Sequence, residues 1–289
     1  MPEVSTVVTI AHGRHDHLRE QRRALRTFSP ETAHVIVAMD DPRIDDVVGR
    51  ECGTTVIHTE GDPLGLPLAR ARNLGVEAAL TGGAELVILL DVDCAPGPHL
   101  VTAYERAASR APGTLLAGPV TYLDEGVGVP ADPWLLDGLR APHIVRPDPP
   151  VGEIQRGGDH ALFWSLSCAM TPTTWRTVGG FHEEYVGYGA EDTDFGWSAR
   201  SRGVDLAWVG GADAYHQFHP VSRPPVEHLA DIVRNATTFH RRWGEWPMRG
   251  WLEEFARRDL VMFDGDSLGY EGFVMPPHKE RRHARTHVE

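Results

Sequence analysis

The sequence predicts an α/β fold with a mostly parallel central sheet flanked by helices. Short runs rich in β-branched residues alternate with helix-like segments through the first half of the chain, the pattern of parallel strands joined by crossover helices. One run, LVILL at 86–90, is apolar on both faces, as a central strand of a parallel sheet should be. Acidic residues follow such runs, and the carboxyl ends of strands are where ligand-binding loops converge in open α/β sheets.

The first half of the chain contains four predicted strands and two predicted helices. The strands are STVVTIA (5–11), HVIVAM (34–39), TTVIHT (54–59) and ELVILL (85–90). The helices are a polar one from His15 to Phe28 and GLPLARARNLGVEAAL (65–80), the second with Leu68, Leu74 and Val76 facing inward.

The second half is less regular. Residues 118–158 are rich in Pro, Gly and Asp and have no periodic run, which indicates either a functional lid or binding loop or a surface excursion. After it we predict a strand in FWSLSCAMTP (163–172), a helix from about Glu191 to Arg202, a final strand in VDLAWVGGADAYHQFHP (204–220) and a helix in PPVEHLADIVRNATTFHRRWG (224–244).

Composition excludes several functions. The 289 residues carry a formal charge of −13, and residues 1–240 hold no block dense in Lys or Arg, so a nucleic-acid-binding surface is not expected. The N-terminus lacks signal-peptide features, and no apolar stretch approaches the roughly 18 residues of a transmembrane segment. We therefore expect a soluble, cytoplasmic protein. The three cysteines, which form no CxxC pair, favour neither disulfides nor a thiolate zinc site.

Lysine is almost absent from the chain. Lys279 is the only one, so the sequence has no Walker A loop and no lysine for a Schiff base in the core. Any phosphate held by this chain must therefore be bound by arginine, by backbone N–H groups or through a metal.

Three polar clusters supply residues for metal binding and acid–base chemistry. They are Asp91 with Asp93, Glu191 and Asp192 with Asp194, and His216 with His219. Taken alone, AEDTD (190–194) would suit the acidic first turn of a helix, and a histidine is often a partly buried, hydrogen-bonded residue. Together, two aspartates and a histidine form a mixed oxygen and nitrogen set suited to Mn²⁺ or Mg²⁺, with positions left for diphosphate oxygens.

The doublet Asp91 and Asp93 follows the buried run at 86–90. In an extended segment both side chains would point to the same side, and Val92 to the other. A helix cap needs only one acid, so the pair favours a metal and diphosphate anchor. Asp40 and Asp41 also follow a predicted strand, but a helix N-cap remains an alternative for Asp41.

Three motifs follow one another along the chain: DVD (91–93) after a buried strand, then GGFHEEYVGYGAEDTDFGWSARSRG (179–203), then YHQFHP (215–220). In this order of motifs, the chain resembles the nucleotide-sugar-dependent glycosyltransferases of the GT-A fold. The resemblance is to the family 2 group and to the galactosyltransferase-like C-terminal module, and it covers roughly residues 4–220. It implies a single GT-A domain over 1–222, with a nucleotide-binding part to about 117 and an acceptor-binding part from 118. A helical segment over 223–262 and a polar tail over 263–289, mobile or partner-binding, would follow.

The resemblance also implies a role for each matching position. Asp93, Asp91 and His216 would hold the metal, Asp91 also reaching the sugar or ribose, while His219 stays an alternative ligand to His216. Asp192 would be the general base, and Glu191 would orient the acceptor or the donor. The residues implied in nucleotide-sugar binding are Thr9, Ala11, Arg14, Asp40, Arg72, Asn73 and Asp91, together with Trp164, one of the aromatic side chains expected to flank the site.

The implied reaction moves a sugar from a nucleotide-diphosphate donor, UDP-linked by expectation, to the hydroxyl of an unidentified acceptor. A divalent metal would stabilise charge on the leaving phosphate, and one base with no second nucleophilic carboxylate favours inversion. The chain departs from the family at Tyr188, where many members carry tryptophan, at His182, where aspartate is common, and in the first strand. A sugar nucleotidyltransferase and a non-catalytic nucleotide-sugar-binding protein are the alternatives.

Overall fold

The chain folds around one large mixed sheet. The computed structural model describes residues 4–50, 52–270 and 273–274, and every structural statement below concerns these residues. The strands are β1 (Ser5–Ala11), β2 (Ala33–Met39), β3 (Thr54–Thr59), β4 (Leu86–Leu90), β5 (Cys94–Pro96), β6 (Leu115–Ala117), β7 (Val120–Tyr122), β8 (Ile154–Gln155), β9 (Ser167–Met170), β10 (Leu206–Val209), β11 (Ala214–His216), β12 (Met262–Phe263), β13 (Leu268–Tyr270) and β14 (Phe273–Val274). The helices are α1 (His15–Phe28), α2 (Ile44–Val48), α3 (Leu68–Thr81), α4 (Leu100–Arg110), α5 (Pro133–Asp137), α6 (Pro172–Val178), α7 (Glu191–Ser201), α8 (Leu229–Trp243) and α9 (Arg249–Arg257).

The large sheet has the strand order β3-β2-β1-β4-β9-β6-β10-β8. β1 to β4 are parallel neighbours, as is the pair β6 and β10. β9 runs antiparallel to β4 and to β6, and β8 runs antiparallel to β10. The predicted α/β class with a mostly parallel central sheet flanked by helices is confirmed.

The four predicted strands and both predicted helices of the first half are present at the expected places. On α3, Val76 is fully buried, whereas Leu68 and Leu74 are only half-buried. Gly75 permits the close approach of α3 to the sheet, because a Cβ at this position would lie 2.4 Å from Cγ1 of Val8. The helix is thereby held against β1, with its first residues near the carboxyl end of the strands.

The prediction of a single strand over 204–220 is wrong. The segment forms β10, which lies in the large sheet, and β11, which lies in a three-stranded sheet with β5 and β7. The strand breaks at Gly210 and Gly211: a Cβ on Gly210 would lie 2.0 Å from the carbonyl oxygen of Pro150, and Gly211 has φ 89°. Because of this switch between sheets, His216 pairs with Cys94 on one side and with Tyr122 on the other.

The C-terminal elements pack on one another through a separate apolar cluster. Ile232 and Ala236 of α8 and Leu252 and Phe255 of α9 are fully buried in it. α8 begins at Leu229, five residues after the start of the helix predicted over 224–244. Within the predicted polar tail, β13 and β14 pair as antiparallel strands, while residues 275–289, including Lys279, lie outside the described residues.

Among the described residues, no helix is both long enough and apolar enough to cross a membrane. The middle stretch 118–158 is mostly irregular, with β7, α5 and β8 as its regular parts.

Candidate active site

The DVD segment is a tight turn at the end of β4. The Cys94 N–H donates to the Asp91 carbonyl at 2.8 Å. The buried Gln21 side chain of α1 donates to the carbonyl oxygens of both Asp91 and Cys94, at 2.7 and 2.9 Å. The expectation of an extended segment with both carboxylates on one side is therefore wrong: the Asp93 side chain faces two histidines, and that of Asp91 faces an arginine.

Asp93, His216 and His219 form a cluster that suits a divalent metal. The Nε2 atom of His216 lies 3.6 Å from Oδ1 of Asp93, and that of His219 lies 3.3 Å from Oδ2. One ligand atom from each residue lies within 4.8 Å of the others. β11 positions this cluster, since it pairs with β5 and the Gln217 N–H donates to the Asp93 carbonyl at 2.7 Å. A carboxylate with two imidazoles is a donor set for Mn²⁺ and related ions.

Electrostatics favour the metal-binding protonation states. Burial acts to raise the pKa of Asp93, but the hydrogen bond from His219 and the charges of His216 and His219 outweigh burial and lower it. Burial lowers the pKa of His216, against the opposing effect of Asp93. At neutral pH the cluster therefore presents an ionised carboxylate and a neutral His216 imidazole, which are the forms that bind metals.

Arg72 of α3 joins the DVD turn to the acidic start of α7. Its side chain is 6% exposed, and it donates from Nη2 to Oδ1 of Asp91 at 3.1 Å and from Nη1 to Oε1 of Glu191 at 3.0 Å. Burial acts to lower the pKa of Arg72, but Asp91, Glu191 and Asp192 raise it above its ordinary value. The second oxygen of Glu191 is buried and accepts no hydrogen bond within the described residues.

Asp192 occupies the first turn of α7, after Ala190, which has φ 71°. Its Oδ1 accepts a hydrogen bond from the Thr193 N–H at 2.7 Å. Burial and the neighbouring charge of Glu191 raise the pKa of Asp192 to about 7, against the opposing effect of Arg72. A carboxylate with such a pKa is suited to accept a proton near neutral pH.

The third acid of AEDTD has a different environment. Asp194 is 1% exposed, and its Oδ1 accepts hydrogen bonds from the Tyr185 hydroxyl at 3.0 Å and from Arg242 and Trp243 of α8, each at 2.7 Å. The hydrogen bonds of Asp194 with Arg242 and Trp243 thus connect α7 with α8.

α8 also fixes the turn that precedes α7. A Cβ on Gly187 would lie 2.2 Å from Oδ2 of Asp231, so only glycine fits here. The Tyr188 N–H donates to the same Asp231 oxygen at 3.1 Å, and Asn235 donates to the carbonyls of Val186 and Tyr188 at 3.1 and 3.2 Å. The Tyr188 ring stacks on His228 at 4.6 Å and is 37% exposed.

The predicted nucleotide-binding residues fall into two groups. Thr9 and Ala11 are fully buried, and Thr9 donates to Gln21 at 3.0 Å, so their side chains face the core. Arg14 and Asp40 are exposed, both with positive φ, and the charge of Arg14 contributes to lowering the pKa of Asp93. Asp40 lines a cleft of about 380 Å³ at the carboxyl ends of β2 and β3.

The side chains of Asn73 and Asp41 form hydrogen bonds within the protein. Asn73 exchanges hydrogen bonds with the backbone of Phe181, accepting from its N–H at 2.8 Å and donating to its carbonyl at 2.9 Å. Asp41, for which the sequence left a cap and a functional role open, is 5% exposed and accepts from the Gly13 N–H and from His15. These hydrogen bonds lower the pKa of Asp41 although burial acts to raise it.

An aromatic wall, formed by Tyr122, His143 and Trp164, borders the cluster of Asp93, His216 and His219. The sequence predicted this wall only in part. Tyr122 stacks on His216 at 4.6 Å and meets His143 at 5.8 Å, and His143 meets the half-buried Trp164 at 5.3 Å. Of Tyr122, His143 and Trp164, only Trp164 was predicted at the site. Tyr122 and His143 lie in or beside the irregular stretch 118–158, where no periodic pattern marks them.

Known proteins resemble this chain in sequence and in fold. A family model described as the N-terminal domain of galactosyltransferase matches residues 160–224, which contain Glu191, Asp192 and His216. Among solved structures, TarS of S. aureus in complex with UDP-GlcNAc superposes with a TM-score of 0.58 at 14% identity, covering 86% of this chain and 75% of TarS. This chain has the GT-A glycosyltransferase fold. GalNAc-T7 with UDP, GalNAc and Mn²⁺ superposes on the GT-A fold of this chain with a TM-score of 0.52 at 14% identity, covering 75% of this chain and 44% of that protein.

Curated relatives of this GT-A chain are glycosyltransferases too. Validoxylamine A glucosyltransferase of Streptomyces hygroscopicus subsp. limoneus is 26% identical over 247 residues, 76% of this chain and 52% of that protein. Chondroitin synthase of Escherichia coli is 27% identical over 223 residues, 68% of this chain and 32% of that protein. The chain thus spans about half or less of the relatives it matches. The predicted resemblance to GT-A nucleotide-sugar glycosyltransferases is confirmed.

Proposed function

We propose that this protein is a metal-dependent glycosyltransferase that moves a sugar from a UDP-linked donor to an acceptor hydroxyl with inversion. The observation that carries the proposal is the Arg72 bridge. It ties the DVD turn, which presents Asp93 to two histidines, to Glu191, the residue next to Asp192. This link supports a single site that contains both the cluster of Asp93, His216 and His219 and an acid with a raised pKa.

The choice of a UDP-linked donor rests on the neighbours. One solved structure of the same fold contains UDP-GlcNAc and another contains UDP with GalNAc. In this chain, the cleft lined by Asp40 lies at the carboxyl ends of β2 and β3, and the charge of the exposed Arg14 acts on Asp93 of the DVD turn. With no lysine among the described residues, diphosphate charge would be met by arginine and by the metal.

Asp192 would act as the general base. As the acceptor oxygen attacks the anomeric carbon, its proton passes to the Asp192 carboxylate, while the bond from that carbon to the diphosphate oxygen breaks on the opposite face. A single displacement of this kind inverts the anomeric configuration. Glu191, held by Arg72, would orient the acceptor through its second oxygen. When bound by Asp93, His216 and His219, a divalent metal supplies charge stabilisation for the departing diphosphate.

Donor binding is tested by thermal unfolding with UDP-glucose, UDP-GlcNAc and UDP-GalNAc, each with Mn²⁺ and with EDTA, since a ligand that binds the native state raises Tm. We expect at least one donor to raise Tm only with Mn²⁺. No metal-dependent shift with any donor would contradict the proposal.

Catalysis is tested by release of UDP from the donor that binds. Asp192→Asn should lower UDP release by about 10²–10⁴-fold while leaving the Tm shift with donor unchanged. Asp46→Asn, an exposed acid on α2, is the matched control and should behave as wild type. Full turnover by Asp192→Asn would remove Asp192 as the base, and release of pyrophosphate from a nucleoside triphosphate would point to a nucleotidyltransferase.

A further inference from the structure

Arg146 is a buried cation that has no hydrogen-bonded anion within the described part of the chain. Its side chain is 5% exposed, and none of its three guanidinium nitrogens finds a hydrogen-bond acceptor among the described residues. Its contacts are the faces of two indole rings, Trp208 with the guanidinium carbon 4.6 Å from the ring centroid and Trp164 at 5.4 Å. Cation–π contacts of this kind offset only part of the cost of removing a charge from water.

Among the described residues, no carboxylate is one of the groups that act most strongly on Arg146. Those groups are the hydroxyls of Tyr104 and Tyr122 and the thiols of Cys168 and Cys94, and burial lowers the pKa of Arg146.

Another arginine of the same loop makes the contrast clear. Arg140 donates from Nε to Asp213 at 2.7 Å and from Nη1 to Asp148 at 3.0 Å, so its charge is fully paired. Asp148 of this loop and Asp213, which precedes β11, are therefore able to pair an arginine, yet they pair with Arg140 and not with Arg146. A buried, unpaired guanidinium in a native protein indicates a partner from outside the chain, because such a charge is otherwise costly.

The location of Arg146 connects it to the active site. The aromatic wall leads from His216 through Tyr122 and His143 to Trp164, and the ring of Trp164 contacts Arg146. The chain just before Arg146 is exposed, with Ile144 at 97% and Val145 at 51%, so this stretch can move aside with little loss of apolar burial.

We propose that Arg146 binds an anionic group, a carboxylate or a phosphate, carried by the sugar substrate of this enzyme. A guanidinium presents paired N–H donors whose geometry matches the oxygens of both groups. The proposal rests on the proposed glycosyltransferase function for the identity of the ligand as a sugar. It makes Arg146 a specificity residue, one that distinguishes acidic from neutral sugars.

The test compares acidic and neutral ligands by titration calorimetry with Mn²⁺ present. The donor arm uses UDP-glucuronate and UDP-glucose, and the acceptor arm uses glucuronate, glucose 6-phosphate and glucose in the presence of UDP. In one arm, we expect the acidic ligand to bind about tenfold more tightly than the neutral one, and that arm identifies the source of the anion. No preference for an acidic ligand in either arm overturns the proposal, whereas failure of UDP-glucuronate, UDP-glucose, UDP-GlcNAc and UDP-GalNAc alike to bind counts against the glycosyltransferase function itself.

Variants separate binding from packing. Arg146→Met should abolish the preference for the acidic ligand and change the affinity for the neutral ligand by less than about twofold. Because this substitution removes an unpaired buried charge, it should leave Tm of the free protein unchanged or raise it. Arg140→Met, the matched control, should lower Tm and keep the preference. If Arg146→Met lowers Tm and keeps the preference, Arg146 only supports the aromatic wall and the proposal fails. Arg146→Lys, which keeps the charge, should retain part of the preference and serves if the Met variant does not fold.

Discussion

The Arg72 guanidinium donates from Nη2 to Oδ1 of Asp91 at 3.1 Å, so the side chain of the first DVD acid is fixed by the helix that precedes its own strand. The same guanidinium donates to Glu191, which lies 119 positions further along the chain. A single buried cation thus holds together two acidic motifs that would otherwise repel each other.

Removal of that cation should destabilise the fold. We expect Arg72→Met to lower the free energy of unfolding by about 3–5 kcal/mol, because two largely buried carboxylates lose their counter-charge. Urea denaturation measures the change. Arg70→Met, at an exposed position on α3, is the control and should change the free energy by less than about 0.5 kcal/mol. Equal effects of the two substitutions would contradict the central role of Arg72.

The raised pKa of Asp192 predicts opposite pH dependences for activity and stability. UDP release should rise with pH through about 7, as the base loses its proton. Because the pKa of Asp192 is higher in the native state than the ordinary 3.8, the native state binds more protons between these values. The stabilising contribution of this group is therefore complete below about pH 4 and is lost as the pH rises through about 7.

Unfolding free energies measured in EDTA across this pH range check the stability part. Asp192→Asn should flatten the dependence between about pH 4 and 7, whereas Asp46→Asn should keep the wild-type slope. An unchanged slope in Asp192→Asn would show that the pKa of this carboxyl is not raised.

Metal affinity should depend on both histidines of the cluster. We expect His219→Ala and His216→Ala each to weaken Mn²⁺ binding by about tenfold or more, and Asp93→Ala to abolish it, measured by titration calorimetry. His17→Ala is the control, since the His17 ring lies 6.3 Å from that of His219 but outside the cluster. Wild-type affinity in His219→Ala would leave His216 as the only imidazole ligand.

Asp194 should matter for stability and not for proton transfer. Asp194→Ala removes the acceptor for Tyr185, Arg242 and Trp243, so we expect a loss of about 3 kcal/mol in the free energy of unfolding. Asp192→Ala, two residues away in the same helical turn, has no such partners and should not lower the stability. Chemical denaturation of both variants at pH 8 distinguishes the roles of the two acids.

Local pattern was enough to predict the elements of the first half. β1 to β4 are continuous apolar or β-branched runs, and α1 begins at His15 and ends at Phe28 as predicted. The break between β10 and β11 was missed because it depends on the approach of Gly210 to Pro150, a contact between segments distant in sequence. For the same reason, the antiparallel direction of β9 could not be predicted.

The candidate site was predictable in its residue types but not in its pairings. Asp93, His216 and Asp192 were named from motifs, and the structure brings His219 to the same carboxylate as His216. Asp91 pairs with Arg72 because of the geometry of the turn after β4. The identities of Asp91 and Asp93 alone do not specify that geometry. No sequence pattern marked Arg146 as a candidate site residue, because it lies in a Pro-rich, polar stretch that is typical of an exposed loop.

The fit of Gly187 against Asp231 limits how far this chain can be trimmed. A version ending at residue 222 would keep the whole central sheet, yet the Val186–Tyr188 turn would lose Asp231 and Asn235, which define its shape. Asp194 would lose the guanidinium of Arg242 and the indole of Trp243. A truncated chain that keeps these contacts therefore runs at least through Trp243, and a chimera that exchanges the Val186–Tyr188 turn with a relative must exchange α8 along with it.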